Sequence, residues 1–318
     1  MIQTQTSERI QKIKNFKREI YQEYGFYYYV PMAEAYTVQI PVTVSCSYGK
    51  CLYCDLNQGM KFRELELNEI EENIKKLRYI YEKPMKKFLL AGGNPFVLKT
   101  EKLLKISDLI HNYFPECNYI SAFSRADDIT RKNLTELKNL SSAGFDRLCI
   151  GIESGSDDVL KFHNKGVTRS ENLKAMNILD EAGIKYSTYI MLGLGGQEMS
   201  ENHINETASL LNSANPFELT IVTLVLFKGA KLIEKIRNHE FNRMHPFEAL
   251  KEGRKLLELL EISTIWDATH KTNIFPVKGK IPEHKEKLLA RIDGVIKEIS
   301  SGDLKQYELK RWHKWGTE

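Results

Sequence analysis

The stretch SCSYGKCLYCDLNQ, residues Ser45 to Gln58, carries three of the five cysteines of this chain within nine positions. Four residues separate Cys46 from Cys51, and two separate Cys51 from Cys54. The first residues, MIQTQTSERIQK, lack the apolar run of a signal peptide, so we expect a reduced, cytoplasmic protein. In that compartment, closely spaced cysteines are more often metal ligands or redox groups than structural disulfides.

The number of cysteines limits the kind of metal site. A structural zinc site usually takes four ligands in two close pairs. Cys117 and Cys149 lie in predicted strands without a close partner, where each is most simply a small buried apolar residue. Three thiolates from one loop match a [4Fe-4S] cluster that leaves one iron free of protein. A zinc-binding or thiol-redox protein without radical chemistry remains the alternative from another class.

Composition and charge are those of an ordinary globular protein. The chain has 318 residues, 42% of them hydrophobic and 28% charged, with a formal net charge of +4. Its longest apolar runs are far shorter than the roughly 20 residues that span a bilayer, so no membrane partner is expected. The basic tail after residue 303 is interpreted as an amphipathic helix packed on the body, not as a nucleic-acid arm, through Tyr307, Leu309, Trp312 and Trp315.

Short apolar segments alternate with amphipathic segments of helical period, which predicts parallel strands with helices outside. About six such units fit between residues 36 and 230, fewer than the eight of a closed barrel. We therefore predict an α/β fold, a partial (β/α)6 TIM-like barrel. Residues 1–35 are predicted to form a helical and aromatic extension, and residues 231–318 a helical extension and substrate lid. The predicted strands are 36–44, 87–91, 117–123, 147–152, 186–192 and 219–227.

Glycine and polar residues follow these predicted strands. The cysteine loop follows the first strand, and AGGNP, SRADD, GIESGS and GLGGQE follow the next four. The carboxyl ends of parallel strands meet at one edge, where the functional loops of such folds lie. The sequence therefore predicts that all five segments converge on one site.

The cysteine loop resembles that of the radical S-adenosylmethionine (radical SAM) superfamily. Cys46, Cys51 and Cys54 match its cluster ligands, and Tyr53 matches the aromatic residue before the last cysteine. The commonest form has three residues in the first gap, whereas this chain has four. The resemblance implies a [4Fe-4S] cluster held by the three cysteines and S-adenosylmethionine (SAM) chelated to the open iron.

Further motifs resemble the family's SAM-binding segments in the expected order. In AGGNP, Gly92 and Gly93 match the Gly-Gly-Glu-Pro motif, which binds the methionine amino group through its backbone. Asn94 replaces the usual Glu, and little effect is expected because the backbone does the binding. The other SAM contacts that the resemblance implies are Ser124 and Arg125 for the ribose and carboxylate, Glu153 for the methionine or ribose, and Ile190 for the adenine.

The resemblance also implies the reaction. An electron donor such as flavodoxin or ferredoxin reduces the cluster, SAM is cleaved, and the 5'-deoxyadenosyl radical takes hydrogen from a small-molecule substrate. A single cysteine cluster argues against enzymes with auxiliary iron-sulfur centres. The specific prediction is a lyase that cleaves queuine to 7-aminomethyl-7-deazaguanine. The alternative is an enzyme of porphyrin, heme or other small-molecule metabolism.

Substrate contacts are sought among acidic, aromatic and polar residues. The aromatic segment before residue 32 and the segment 262–282 are the candidates for closing the site. His163, His203 and His245 are expected to be ordinary surface or packing residues. The candidate substrate residues are Asp127, Tyr189, Trp266, Asp267, His270 and Asn273.

Overall fold

A computed structural model describes residues 2–25, 30, 34–56 and 59–301. The strands are β1 (Val38–Pro41), β2 (Thr43–Val44), β3 (Arg63–Glu64), β4 (Lys87–Ala91), β5 (Tyr119–Ser124), β6 (Phe145–Glu153), β7 (Lys185–Leu192), β8 (Glu218–Thr223), β9 (Thr264–Asp267) and β10 (Lys278–Ile281). The helices are α1 (Ile2–Tyr24), α2 (Leu67–Ile80), α3 (Thr100–Tyr113), α4 (Ala126–Thr130), α5 (Leu134–Ser142), α6 (Asp157–Phe162), α7 (Arg169–Ala182), α8 (Ser200–Leu211), α9 (Leu232–Arg237), α10 (Pro246–Leu259) and α11 (Lys285–Ser301), with a 3-10 turn at Pro95–Val97.

The chain divides into two compact units, and the first comprises the residues up to Gly151 together with Lys174–Tyr186. Its strands lie in the order β1, β4, β5, β6, and the neighbouring strands are parallel. Phe88 of β4 packs its ring 4.8 Å from that of Phe114, which follows α3. A separate antiparallel pair, β2 and β3, closes the long connection that contains the cysteine loop.

The second unit comprises Ile152–Leu173 and the chain from Ser187 onward. Its strands lie in the order β7, β8, β9, β10. β7, β8 and β9 are parallel, and β10 pairs antiparallel with β9. Helices α8 and α10 contact each other, as do α10 and α11.

The predicted alternation of strands and helices is confirmed, with two corrections. The predicted strand 36–44 is interrupted after Pro41, because Val42 donates its N–H to Ala91 while its carbonyl accepts from Leu65. The segment 262–282, which interrupts the predicted helical extension, contributes two strands that were not predicted, β9 and β10, and its role as a lid stays a prediction. These strands are four residues each, and β9 forms by pairing with β8, where Glu218 lies opposite Ile265, a contact that local periodicity does not reveal.

Two expectations lie outside the described residues, namely the packing of the basic tail and most of the aromatic segment before residue 32. The boundaries predicted at residues 35 and 230 stay predictions. Within the described part of the chain, no helix combines the length and apolar character that crossing a bilayer requires.

Candidate functional site

The cysteine loop lies between β2 and β3, and its three cysteines form no disulfide and are partly exposed. Ser45 opens the loop with a positive φ of 63°, and its hydroxyl donates to the carbonyl of Met60 at 3.2 Å. Tyr53 is buried, and the backbone N–H of Cys54 donates to the Cys51 carbonyl at 3.3 Å. The Ser45 bond thus fixes the start of the loop, and the Cys54 bond closes a turn between the last two of its three cysteines.

Among the residues that the structure describes, no three His, Cys, Asp or Glu side chains are arranged to hold a metal ion. The cluster-ligand role of Cys46, Cys51 and Cys54 therefore stays a prediction. It is supported by the kind of donor, since three thiolates from one loop are the ligands that iron-sulfur clusters take.

The two glycines of AGGNP allow the turn after β4 to dock on the root of the cysteine loop. A Cβ atom on Gly92 would lie 2.0 Å from Thr43 Oγ1, and one on Gly93 would lie 2.7 Å from the carbonyl oxygen of Ser45. The Gly93 N–H donates to that same carbonyl at 3.1 Å. Any larger residue at position 93 would displace the backbone next to Cys46. These glycines therefore allow the turn to hold the loop, in addition to the predicted contact of their backbone with the methionine amino group.

Asn94 connects three segments of this unit, a structural role that the sequence analysis did not predict; the expectation that replacing the usual Glu matters little for SAM binding stays a prediction. Its buried amide nitrogen donates to Ser47 Oγ at 2.9 Å and to Asp128 Oδ2 at 2.5 Å. The donor must be Nδ2, because an ionised carboxylate only accepts. A Glu at this position would place a second carboxylate against Asp128. The amide oxygen of Asn94 is buried and has no partner among the described residues.

Asn94→Asp is expected to destabilise the protein by about 1–3 kcal/mol, because it replaces a buried donor by an acceptor facing Asp128. Burial already raises the pKa of the Asp128 carboxyl, so a second carboxylate there is costly. Thermal unfolding of the protein measures the effect. The double variant Asn94→Asp, Asp128→Asn exchanges the amide and the carboxylate and should recover most of the loss. A double variant no more stable than the single one would contradict this role.

The segment after β5 carries the predicted SAM contacts Ser124 and Arg125. The Arg125 guanidinium lies 3.9 Å from the ring centroid of Tyr48, which is in the first gap of the cysteine loop. Its Nε donates to Asp127 at 2.9 Å, and Asp127 also pairs with Arg131 at 3.0 Å. The Ser124 hydroxyl donates to the Arg125 carbonyl. Asp127, predicted to contact substrate, is therefore already paired with two cations.

Sequence reasoning missed Tyr48. It occupies the gap that is one residue longer than the common form, and that extra length is the signal that could have drawn attention to it. Burial raises the pKa of its phenol, with Cys51 contributing in the same direction. The first unit thus brings together the cysteine loop, the turn at residues 92–95 (the GGNP turn) and the segment after β5, as predicted for these three segments.

In the second unit, Glu153 ends β6 in a conformation uncommon for its residue type. Its φ is 65°. Holding a non-glycine residue in this conformation costs of order 1–3 kcal/mol, and such strained residues cluster at functional sites. The side chain is buried and pairs with buried Lys165, with 3.3 Å between Oε1 and Nζ. The position is consistent with the predicted role of Glu153 in binding SAM.

β7 presents alternate residues to its two faces. Leu192 lies against α10, since a Cβ on Gly253 would come within 2.7 Å of its Cδ1. Ile190 shares the face of Leu192 and is fully buried, so its backbone, not its side chain, is left for the predicted adenine contact. Tyr189 and Met191 lie on the other face. The substrate role of Tyr189 stays a prediction.

Two buried histidines hold the backbone after β7. His203 of α8 bonds through Nε2 to the Met191 carbonyl at 3.1 Å, and His163 bonds through Nε2 to the Leu194 carbonyl at 2.7 Å. Carbonyls only accept, so both Nε2 atoms carry the proton. His203 Nδ1 then accepts from the Ser154 hydroxyl at 2.7 Å. Burial lowers the pKa of both imidazoles to about 4, so both are neutral packing residues at pH 7.

The geometry of β9 separates Trp266 from Asp267, whereas Trp266 and Asn273 line the same cavity. Trp266 lines a cavity of about 20 Å³ together with Leu192, Gly253 and Ile292, on the helix-facing side. Asp267 points to the opposite face, where it pairs with Lys278 at 2.5 Å; Lys278 also pairs with buried Glu218 at 2.9 Å. Trp266 and Asp267 are therefore not brought together as one substrate site.

His270 and Asn273 lie in the loop between β9 and β10. The Asn273 amide nitrogen donates to the carbonyls of Ile221 and Ala268, and its oxygen accepts from Thr223 at 2.9 Å. These bonds fasten the loop to the end of β8, a structural role. His270 Nδ1 lies 2.8 Å from Thr272 Oγ1, and burial lowers the pKa of its imidazole. The substrate role of both residues stays a prediction.

Comparison with known proteins adds the family. A family model described as the radical SAM superfamily matches residues 40–211, just over half of the chain. An uncharacterized protein of Methanocaldococcus jannaschii is 25% identical over 236 residues, covering 71% of this chain and 72% of the relative. The heme chaperone HemW of Bacillus subtilis is 29% identical over 171 residues, covering 50% of this chain and 44% of that protein.

Among solved structures, the coproporphyrinogen III oxidase HemN from Escherichia coli, described as a radical SAM enzyme, is similar with a TM-score of 0.57 at 16% identity. The match covers 70% of this chain and 51% of that one. At this identity the likeness shows the fold alone, and the predicted α/β partial-barrel class is confirmed. The chain spans about half of this oxidase and less than half of the heme chaperone.

Proposed function

The chain belongs to the radical SAM superfamily, whose members use a [4Fe-4S] cluster and SAM, and we propose that Cys46, Cys51 and Cys54 hold that cluster. The observation that carries the proposal is the fastening of the cysteine loop to the GGNP turn, through the Gly93 N–H bond to Ser45 and the Asn94 bond to Ser47. The donor set fits, because three thiols outside any disulfide lie on one loop, beside a turn whose glycines leave no side chain in the way. When bound, the cluster and SAM supply a 5'-deoxyadenosyl radical for hydrogen abstraction.

The chain's own residues hold and orient the reactants. The backbone of Gly92 and Gly93 is proposed to receive the methionine amino group, and Arg125, held by its stack on Tyr48, to receive a carboxylate or ribose oxygen. Glu153, fixed by Lys165 and by its own backbone conformation, is proposed to contact the methionine or ribose part. These groups are rigid before ligand arrives, which lowers the entropy cost of orientation.

The substrate class is a small molecule, and queuine is the specific candidate. Support for a single-cluster enzyme comes from the cysteine count, since only Cys117 and Cys149 lie outside the loop, fewer than the thiolates that a second cluster takes. Cleavage of queuine breaks the C–N bond between its aminomethyl nitrogen and the cyclopentene ring. The ring fragment would leave with one hydrogen atom fewer than the ring has in queuine, because that atom would have gone to 5'-deoxyadenosine. The nitrogen would gain one electron and one proton, from reductant and solvent.

A heme or porphyrin substrate is the second candidate, favoured by the likeness to a heme chaperone and by the fold of a coproporphyrinogen oxidase. The predicted carboxylates for the queuine amine, Asp127 and Asp267, are already ion-paired with Arg and Lys side chains. Substrate identity must therefore be decided by turnover.

Anaerobically reconstituted protein with SAM and dithionite is expected to release 5'-deoxyadenosine, followed by chromatography with mass detection. A severalfold rise with queuine, together with 7-aminomethyl-7-deazaguanine, would support the lyase. A rise with coproporphyrinogen or heme instead would select the second candidate. Colourless protein with stoichiometric zinc and no 5'-deoxyadenosine would contradict both and favour a zinc or thiol protein.

A further inference from the structure

A third buried side chain holds the turn after β7, and it comes from the C-terminal part of the chain. Glu252 of α10 accepts from the Gly193 N–H at 2.5 Å through Oε2, and from the Ser200 hydroxyl at 2.7 Å through Oε1. Its side chain is only 5% exposed. Both carboxylate oxygens are thus used, one on the turn that ends β7 and one on the first residue of α8.

Helix α10 is shaped to bring this carboxylate to the turn. The next residue, Gly253, lies inside the helix, where glycine costs roughly 1 kcal/mol relative to alanine. A Cβ on Gly253 would come within 2.7 Å of Leu192 Cδ1, the end of a side chain, so an alanine would require that side chain to move. The glycine therefore leaves room for Leu192 where α10 packs against the end of β7, next to the residue that bonds to Gly193.

The three side chains bond to three neighbouring backbone groups. His203 holds the Met191 carbonyl, Glu252 the Gly193 N–H, and His163 the Leu194 carbonyl. The backbone that follows Ile190 is consequently fixed on every residue from 191 to 194 except Leu192, which is held by strand pairing and by α10. Such a shell fixes a binding segment more firmly than the turn's own bonds can.

Burying the charged carboxylate of Glu252 is energetically unfavourable, more so than joining α10 to β7 would require. Burial raises the pKa of its carboxyl to about 7, which shows the cost of keeping the charge in place. The N-terminus of α8 offsets part of that cost, because a negative charge is favoured there. A carboxylate is, however, the side chain that can accept two bonds at once from a backbone N–H and a hydroxyl.

We propose that Glu252 is a positioning residue that fixes the Met191–Leu194 backbone for the adenosine part of SAM. The inference rests on the proposed function and on the adenine contact predicted for Ile190, since it requires that the end of β7 receive adenosine. It assigns to α10 a role in cofactor binding in addition to the lid role predicted for the C-terminal extension.

The test compares Glu252→Ala, Glu252→Gln and the matched control Glu258→Ala, which removes an exposed carboxylate from the same helix. Dissociation constants for SAM and for 5'-deoxyadenosine are measured by equilibrium dialysis on cluster-loaded protein, with iron content assayed in parallel. 5'-Deoxyadenosine lacks the amino-acid part and reports on the adenosine site alone. Glu252→Ala removes both hydrogen bonds and should weaken both ligands by roughly ten-fold, with iron content unchanged.

Glu252→Gln keeps an acceptor for the Gly193 N–H and should bind both ligands within roughly three-fold of the wild type, as should Glu258→Ala. Rescue by glutamine separates positioning from a general need for charge. Equal affinities for Glu252→Ala and the wild type overturn the inference. If Glu252→Ala does not fold, Ser200→Ala removes one of the two bonds and must weaken both ligands by roughly two- to five-fold, and unchanged affinities overturn the inference there too.

Failure of the proposed function has a different signature. A wild-type protein that holds its cluster yet binds neither SAM nor 5'-deoxyadenosine would overturn the proposed function and this inference together. Normal SAM turnover by the wild type, with Glu252→Ala affinities unchanged, would overturn the inference alone.

Discussion

Replacement of Cys51 by alanine is expected to reduce the iron content of anaerobically reconstituted protein from about four atoms per chain to near zero. Cys51 is the middle thiol of the loop, and its removal leaves two ligands where the cluster is proposed to need three. Formation of 5'-deoxyadenosine from SAM and dithionite should fall below detection. Iron and sulfide assays, with electron paramagnetic resonance of the reduced protein, measure the first effect, and chromatography measures the second.

Cys149→Ala is the matched control for this prediction. Cys149 is also outside any disulfide but is buried in β6, so its loss should cost about 1 kcal/mol of stability and leave iron content unchanged. Full iron content in Cys51→Ala, or equal loss in both variants, would be inconsistent with the ligand set proposed here.

The predictable parts of the fold are the helices whose apolar residues recur with a regular local spacing. The amphipathic segments 65–81, 101–114, 170–182 and 200–213 are predicted as helices, because apolar residues at three-to-four spacing mark one helical face. The α2, α3, α7 and α8 helices begin and end within two residues of these segments. β9 and β10 were missed for the opposite reason. They lie among polar and special residues, and β9 becomes a strand only because β8 is available for pairing.

The candidate site shows a similar division. The order of the loops predicted that the cysteine loop, the GGNP turn and the segment after β5 would meet in the first unit, and they do. What a linear sequence does not supply is the partner of each side chain. Asp127 is as acidic in the sequence as in the structure, but only the structure shows it between Arg125 and Arg131.

The sequence analysis also did not predict the face of the sheet on which each side chain lies. Trp266 and Asp267 are adjacent and were grouped as substrate contacts, yet neighbouring residues of a strand point to opposite faces. The same alternation places the side chain of Ile190 on the face of Leu192. Once a segment is known to be a strand, its two faces can be told apart, so the grouping of Trp266 with Asp267 follows directly from having missed β9.

Gly93→Ala is expected to disrupt the proposed cluster site without touching a cysteine. The added Cβ would lie 2.7 Å from the carbonyl carbon and oxygen of Ser45 and 2.8 Å from the backbone nitrogen of Cys46. These are backbone atoms, so relief requires moving the turn or the loop, at a cost of about 1–3 kcal/mol. We expect a lower unfolding temperature, iron incorporation reduced to a small fraction of wild type, and weaker SAM binding.

Gly294→Ala provides the control, because a Cβ at this position in α11 meets nothing within 4 Å. Alanine in an open helical position should stabilise the protein by about 0.5–1 kcal/mol and leave iron content as in the wild type. The contrast isolates the close approach of turn and loop from the general effect of replacing glycine. If Gly93→Ala incorporated iron and bound SAM as well as Gly294→Ala does, the GGNP turn would not be what holds the cysteine loop in place.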